Sequence, residues 1–92
     1  MVSQLNKRAT VKLKADVEAA LYRLRKPDLT AVEDVNLCQV SIWREGRSIC
    51  SFRVDTERLH LVFGHGKNAV KCVAGDWSEF VENMLIAHEL IW

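Results

Sequence analysis

Apolar positions recur every three or four residues at the two ends of the chain and every two residues in its middle. The first line is Leu5, Ala9, Leu13, Val17, Ala20, Leu21 and Leu24. At about 100° per residue these fall within half the circumference, which predicts an amphipathic helix over about 4–26. Ser3 caps it and Pro27 stops it. A second, shorter line of Val11, Ala15 and Tyr22 lies on the opposite side, among Lys7, Arg8, Lys14, Arg25 and Lys26. Such a helix has one side for the core and one for a partner.

Lys26-Pro27-Asp28 is a turn signal. Thr30-Ala31-Val32-Glu33 has the spacing of a capping box, which predicts one helical turn before the chain extends. From Asn36 the period becomes two. Cys38, Val40 and Ile42 alternate with Leu37, Gln39, Ser41 and Trp43; Cys50, Phe52 and Val54 alternate with Ile49, Ser51 and Arg53. This is a hairpin of strands over about 36–44 and 48–55. If both apolar sets share a face, Ile42 pairs with Cys50 and Val40 with Phe52. That parity predicts a three-residue loop, Glu45-Gly46-Arg47, with Gly46 at positive φ. A two-residue loop would set Ile42 against Ile49 and Val40 against Ser51.

A third strand over about 58–63 turns Leu59, Leu61 and Phe63 inward. Residues 69–74 read as a fourth strand, with Val70 and Cys72 inward, or as a helical turn. Asp76 and Glu79 then have capping-box spacing for a last helix over about 77–91. Its apolar face is Trp77, Phe80, Val81, Met84, Leu85, His88, Ile91 and Trp92, while Ile86 and Leu90 fall on the other side. The expectation is one α+β domain over residues 1–92. A long N-terminal helix, an antiparallel meander of three or four strands and a C-terminal helix follow in order, with both helices on one sheet face.

Charge divides this pattern. Residues 1–26 carry Lys7, Arg8, Lys12, Lys14, Arg23, Arg25 and Lys26 against Asp16 and Glu18. Residues 75–92 carry Asp76, Glu79, Glu82 and Glu89 with no Lys or Arg. The net charge of +1 hides this split. A basic and an acidic segment can pair within one molecule, across a dimer or with a charged partner. The apolar content of 49 % excludes a disordered chain and leaves surplus apolar surface for an interface. No apolar run approaches the ~20 residues of a membrane span, and the first residues lack the apolar core of a signal peptide, so a cytoplasmic protein is expected. Three cysteines, scattered and odd in number, read as reduced core thiols rather than a disulfide framework.

Candidate chemistry is sparse. Gly64-His65-Gly66-Lys67 is a hairpin turn or, alternatively, an anion nest built on Gly64, Gly66 and Lys67; it lacks P-loop spacing. Cys38, Cys50, Cys72, His60, His65 and His88 show no zinc-ligand spacing. Neither a cofactor, a metal nor a catalytic group is expected. The expected outer sheet face mixes Leu37, Trp43, Ile49, Arg53, His60, Val62, Lys71 and Val73. Mixed basic and aromatic residues there suit single-stranded nucleic acid as well as protein. The leading expectation is a non-enzymatic, homodimeric adaptor, regulator or inhibitor that binds another protein, of the kind small bacterial or phage accessory proteins provide. Its contact candidates are Val11, Tyr22, Trp43, Ile86, Leu90 and Trp92. The alternative is a nucleic-acid-binding regulator using Lys7, Arg8, Lys12, Lys14, Arg25 and Lys26 on phosphates.

Overall fold

The computed structural model describes the backbone of residues 4–55, 60–64, 69–72 and 77–91, and side chains over the same residues except 4–6 and 88–91. Helix α1 (Gln4–Arg23) is followed by strands β1 (Thr30–Asp34), β2 (Gln39–Arg44), β3 (Arg47–Asp55), β4 (His60–Phe63) and β5 (Val70–Cys72), then helix α2 (Trp77–Ile91). The strands form one antiparallel sheet in the order β1-β2-β3-β4-β5. The α+β architecture is the expected one, with five strands where three or four are expected.

α1 ends three residues short of the expected limit. Arg25 takes a left-handed φ of 56°. Lys26 N–H donates to Leu21 O at 3.0 Å, and Arg25 N–H to Tyr22 O at 3.1 Å. These two bonds make a Schellman cap with arginine at the position glycine usually holds. The helix is therefore closed by its own backbone before Pro27 is reached. Arg23 in its last turn suits the negative end of the helix dipole.

Thr30–Glu33 is not the expected helical turn but the edge strand β1, paired with β2 from Thr30↔Trp43 to Asp34↔Gln39. Capping-box spacing is a local signal, and cross-strand hydrogen bonds override it. Residues 36–38 likewise belong to a turn rather than to β2. The Asp34 Oδ1 accepts from Asn36 N–H at 3.1 Å and Leu37 N–H at 3.3 Å, and Cys38 closes the turn at φ 51°.

The β2–β3 register is the expected one, Ile42↔Cys50 and Val40↔Phe52, but the loop is not. Arg44 pairs with Arg47, leaving only Glu45 and Gly46 in the loop, at φ 51° and 78°. Two positive φ values in a two-residue loop define a type I′ turn, whose twist matches that of the strands. The odd residue is taken up by a bulge instead: Ile42 faces Cys50 while the next residue, Trp43, faces Ser48. Ile49 is thereby turned from its expected outward position to pack, half-buried, against the core beside Cys50.

Val40, Ile42, Phe52, Val54 and Leu61 make the buried face of the sheet. From α1, Leu13, Val17, Ala20 and Leu21 pack on it, and Thr10 is buried with them; Val81 and Leu85 come from α2. Phe52 lies at the centre, fully buried, 4.9 Å from the Phe63 ring and 6.4 Å from the Phe80 ring in an edge-on arrangement. Both helices therefore cover one face. α1 lies over β1 and β2, and α2 lies beside α1. Lys12 approaches Trp77, Asp16 meets Ser78 and Arg23 meets Glu82, so the two helices run in the same direction. Of the expected inward pair on β5, Cys72 packs against the core, whereas Val70 remains 42 % exposed at the sheet edge.

The turn assignment predicts opposite effects at adjacent residues. A Cβ on Gly46 would meet nothing within 4 Å, so Gly46→Ala reports backbone strain alone. It lowers stability by about 1 kcal/mol. Glu45→Asn creates the Asn-Gly pair that type I′ turns favour and raises stability by ~0.5 kcal/mol. Urea unfolding of the two variants measures both; a stabilising Gly46→Ala would contradict the turn.

Candidate interaction surface

Side chains off the core stripes stand in solvent. On α1, Val11 is 52 % and Tyr22 86 % exposed, and Ala15 and Ala19 are exposed between them. These residues follow a line of three- and four-residue steps along the back of the helix. On α2, Ile86 is 42 % exposed, near the exposed Glu79, Asn83 and Ala87. The side chain of Leu90 and the whole of Trp92 lie outside the described residues. A cleft of about 650 Å³ at the end of α1 is lined by Leu21, Tyr22, Arg23, Arg25, Lys26 and Pro27.

The other surface is the sheet face turned away from the helices. One row crosses all five strands: Asp34, Gln39, Arg53, Val62 and Lys71. Val62 is 3 % exposed although it points away from the helices. Its register neighbours Arg53 and Lys71 are both exposed, and their aliphatic stems are long enough to lie against it with the charges in water. A second row runs Val32, Ser41, Ser51, and a third Thr30, Trp43, Ser48. Val32 is 46 % and Trp43 36 % exposed, and Gln39 Nε2 donates to Ser41 Oγ at 3.1 Å. Leu37, expected on this face, stands 57 % exposed in the β1–β2 turn. Val73 lies outside the described residues. Val32 was missed because the segment carrying it was read as helical.

The basic residues of α1 are divided by the fold. Lys12 Nζ pairs with Asp16 at 3.2 Å and stands 5.9 Å over the Trp77 ring. Lys14 pairs with Glu33 of β1 at 3.5 Å. Arg23 bridges to Glu82 of α2 at 3.2 Å. The basic and acidic segments thus pair in part within one molecule. Each such exposed pair is worth only ~0–1 kcal/mol, so their effect is on arrangement more than on stability. Lys7, Arg8 and Arg25 are exposed, and Lys26 is half-buried in its cap. Arg44, at the hairpin end, pairs with Asp28 at 2.9 Å.

Gly64 has φ 80°, and its N–H donates to Ser51 O at 3.1 Å, a sheet bond to β3. Gly66 and Lys67, the other residues of the anion-nest reading, lie outside the described residues, as does His65. His60 begins β4 opposite Asp55. Cys38 is buried, and Cys50 and Cys72 are half-buried, all three as free thiols. Among the described residues no group of three or more His, Cys, Asp or Glu side chains is placed to hold a metal. No helix among them is long and apolar enough to cross a membrane.

No family model, no curated protein and no solved structure matches this chain. Functional argument therefore rests on the surfaces themselves.

Burial pushes the Cys50 thiol up from its ordinary 9.0 to about 12. Its neutral form is favoured by the fold, so the contribution is complete below pH 9.0 and is lost as pH rises towards about 12. The stability difference between the wild type and Cys50→Ala should narrow over that window in urea titrations. At pH ~8 iodoacetamide should leave Cys50 unmodified in the folded protein and label it on unfolding, read by peptide mass spectrometry. Rapid native labelling would contradict the placement.

Proposed function

We propose that the protein is a non-enzymatic interaction protein, a homodimer that binds another protein and so acts as an adaptor, regulator or inhibitor. One observation carries this reading. Both helices lie on a single face of the sheet, and the opposite face presents Val32 and Trp43 to solvent, one and two rows away from the row of Arg53 and Lys71. Trp and Arg are the residues most enriched where proteins bury one another, and a half-exposed Trp is a ready anchor. The partner's complementary surface is apolar at its centre and acidic at its rim. Asp34 and Asp55 limit the positive field of the face, which favours a protein over a polyanion.

The nucleic-acid alternative keeps Lys7, Arg8 and Arg25 as exposed phosphate contacts. It is weakened by the ion pairs of Lys12 with Asp16 and Lys14 with Glu33. Phosphate binding would have to displace those carboxylates.

Salt and a single substitution separate the two. The tagged protein and its Trp43→Ala variant are used to capture partners from a nuclease-treated lysate at about 150 and 500 mM salt. The expected result is a stoichiometric protein retained at both salts by the wild type and lost with Trp43→Ala. A protein that carries nucleic acid instead, sheds it steeply with salt and weakens on Lys12→Glu or Lys14→Glu would replace this reading with the alternative.

A further inference from the structure

We infer that two copies of the chain join edge to edge, β1 of one against β1 of the other, in antiparallel register centred on Val32; this rests on the homodimer reading above. β1 is an outer strand of the sheet, and no described strand lies beyond it. The direction of its backbone groups follows from one bond. Val54 N–H donates to Cys38 O at 2.9 Å, so Cys38, and by alternation Val40 and Ile42, turn their backbone groups towards β3. Gln39, Ser41 and Trp43 then turn theirs towards β1, where they face Asp34, Val32 and Thr30. Ala31 and Glu33 are left with N–H and C=O directed off the edge of the sheet.

This edge carries little of what usually guards one. β1 has no proline, no lysine and no bulge. Of its two carboxylates, Glu33 is paired with Lys14 of α1 at 3.5 Å, and Asp34 is held by the Asn36 and Leu37 N–H groups.

Parity and length select the register. Residues that direct their backbone groups outward must oppose residues that do the same, so the two-fold axis passes through a residue and not between two. An axis at Glu33 would set two glutamates directly opposite. Only the axis at Val32 pairs all 5 residues of both strands. The N–H and C=O of Ala31 then bond those of the partner's Glu33, twice over. Val32, 46 % exposed in one copy, meets Val32 of the partner subunit in the closer, non-hydrogen-bonded kind of pair. The Thr30 hydroxyl stands beside the partner's Asp34.

The axis is normal to the sheet, so both α1 helices stay on one side and meet above the seam. α1 rests on β1 and β2, which sets its axis inside the edge. Two such helices lie roughly 10 Å apart, the spacing of packed helices. Lys14 marks the side of α1 that overlooks the edge, and at about 100° per residue Lys7, Val11 and Glu18 share that side. Lys7 and Lys14 are there matched by Glu18 and Glu33, and Val11 gains cover. The strand edge is only about 17 Å long, so even with the flank of α1 the seam falls below the ~800 Å² per partner of a standard interface. A dissociation constant in the micromolar range follows. On the outer face the two Val32 side chains meet with a Trp43 on the next strand of each copy, which joins the two docking patches into one.

Sedimentation of the full chain from ~5 to ~500 μM reads the association. The wild type is expected as a monomer–dimer equilibrium. Glu33→Pro removes only an N–H that points off the edge, where a strand tolerates proline, and should raise the dissociation constant about tenfold or more. Glu33→Ala loses the same carboxylate but keeps that N–H, and should remain a dimer. Val32→Lys sets like charges directly opposite and should be monomeric. Far-UV circular dichroism checks that each variant is folded. In hydrogen exchange of the wild type, the Ala31 and Glu33 amides should be protected at ~500 μM and lose protection at ~5 μM, while the Val32 amide, bonded to β2, is protected at both. A monomer at ~500 μM overturns the inference, and protection of those two amides by a captured protein would give the edge to that protein instead. A dimer that survives both Glu33→Pro and Val32→Lys overturns it as well. Trp43 lies outside the seam, so Trp43→Ala should stay dimeric and lose partner capture. Failure of the dimer and failure of the outer-face reading are thus seen separately.

Discussion

The structure depends on one constraint: the apolar residues of β2 and β3 must share a face. Val40, Ile42, Phe52 and Val54 are buried only because their register puts them on the side the helices cover. A slip of one residue would send the whole set of one strand into water. The tight Glu45-Gly46 turn by itself imposes the wrong parity. The bulge between Ile42 and Trp43 restores it by inserting Ile49. Local turn geometry and global burial are thus reconciled at a single residue. The remaining elements then add to a face already defined, with Phe52 as the contact that joins β4 and α2 to it.

A second feature is the charge split, part of which is paired within the molecule. Within the molecule it joins α1 to α2 through Arg23 with Glu82, while Lys12, paired with Asp16 of its own helix, stands over the Trp77 ring. These contacts lie on the sides of the helices, not on their backs. The exposed charges of α1 include Lys7, Arg8 and Glu18, and those of α2 include Glu79.

Parts of this were legible and parts were not. The helices showed in the period of their apolar residues, because a 20-residue helix repeats its burial pattern five times. The off-stripe positions Val11, Tyr22 and Ile86 followed from the same arithmetic, and all three are exposed. β1 was hidden because it buries only Ala31, so its alternation has a single apolar point to report. The reach of α1 was overestimated at Arg25, since a left-handed arginine leaves no mark in composition. The pairing of Lys14 with Glu33 could not be seen either, because Glu33 reaches the helix only once its segment is a strand.

The sequence by itself determined which residues seek burial, with what period, and where charge of each sign collects. Those are properties of side chains and of the repeat of the backbone that carries them. Tertiary structure alone decided the two-residue loop and its compensating bulge, the edge strand, and the pairing of Lys14 with Glu33. Each of those outcomes compares a local preference with contacts between segments far apart in the chain. Cross-strand hydrogen bonds and a shared core outweigh a capping signal or a turn preference worth ~1 kcal/mol. That comparison can be made only when the segments meet.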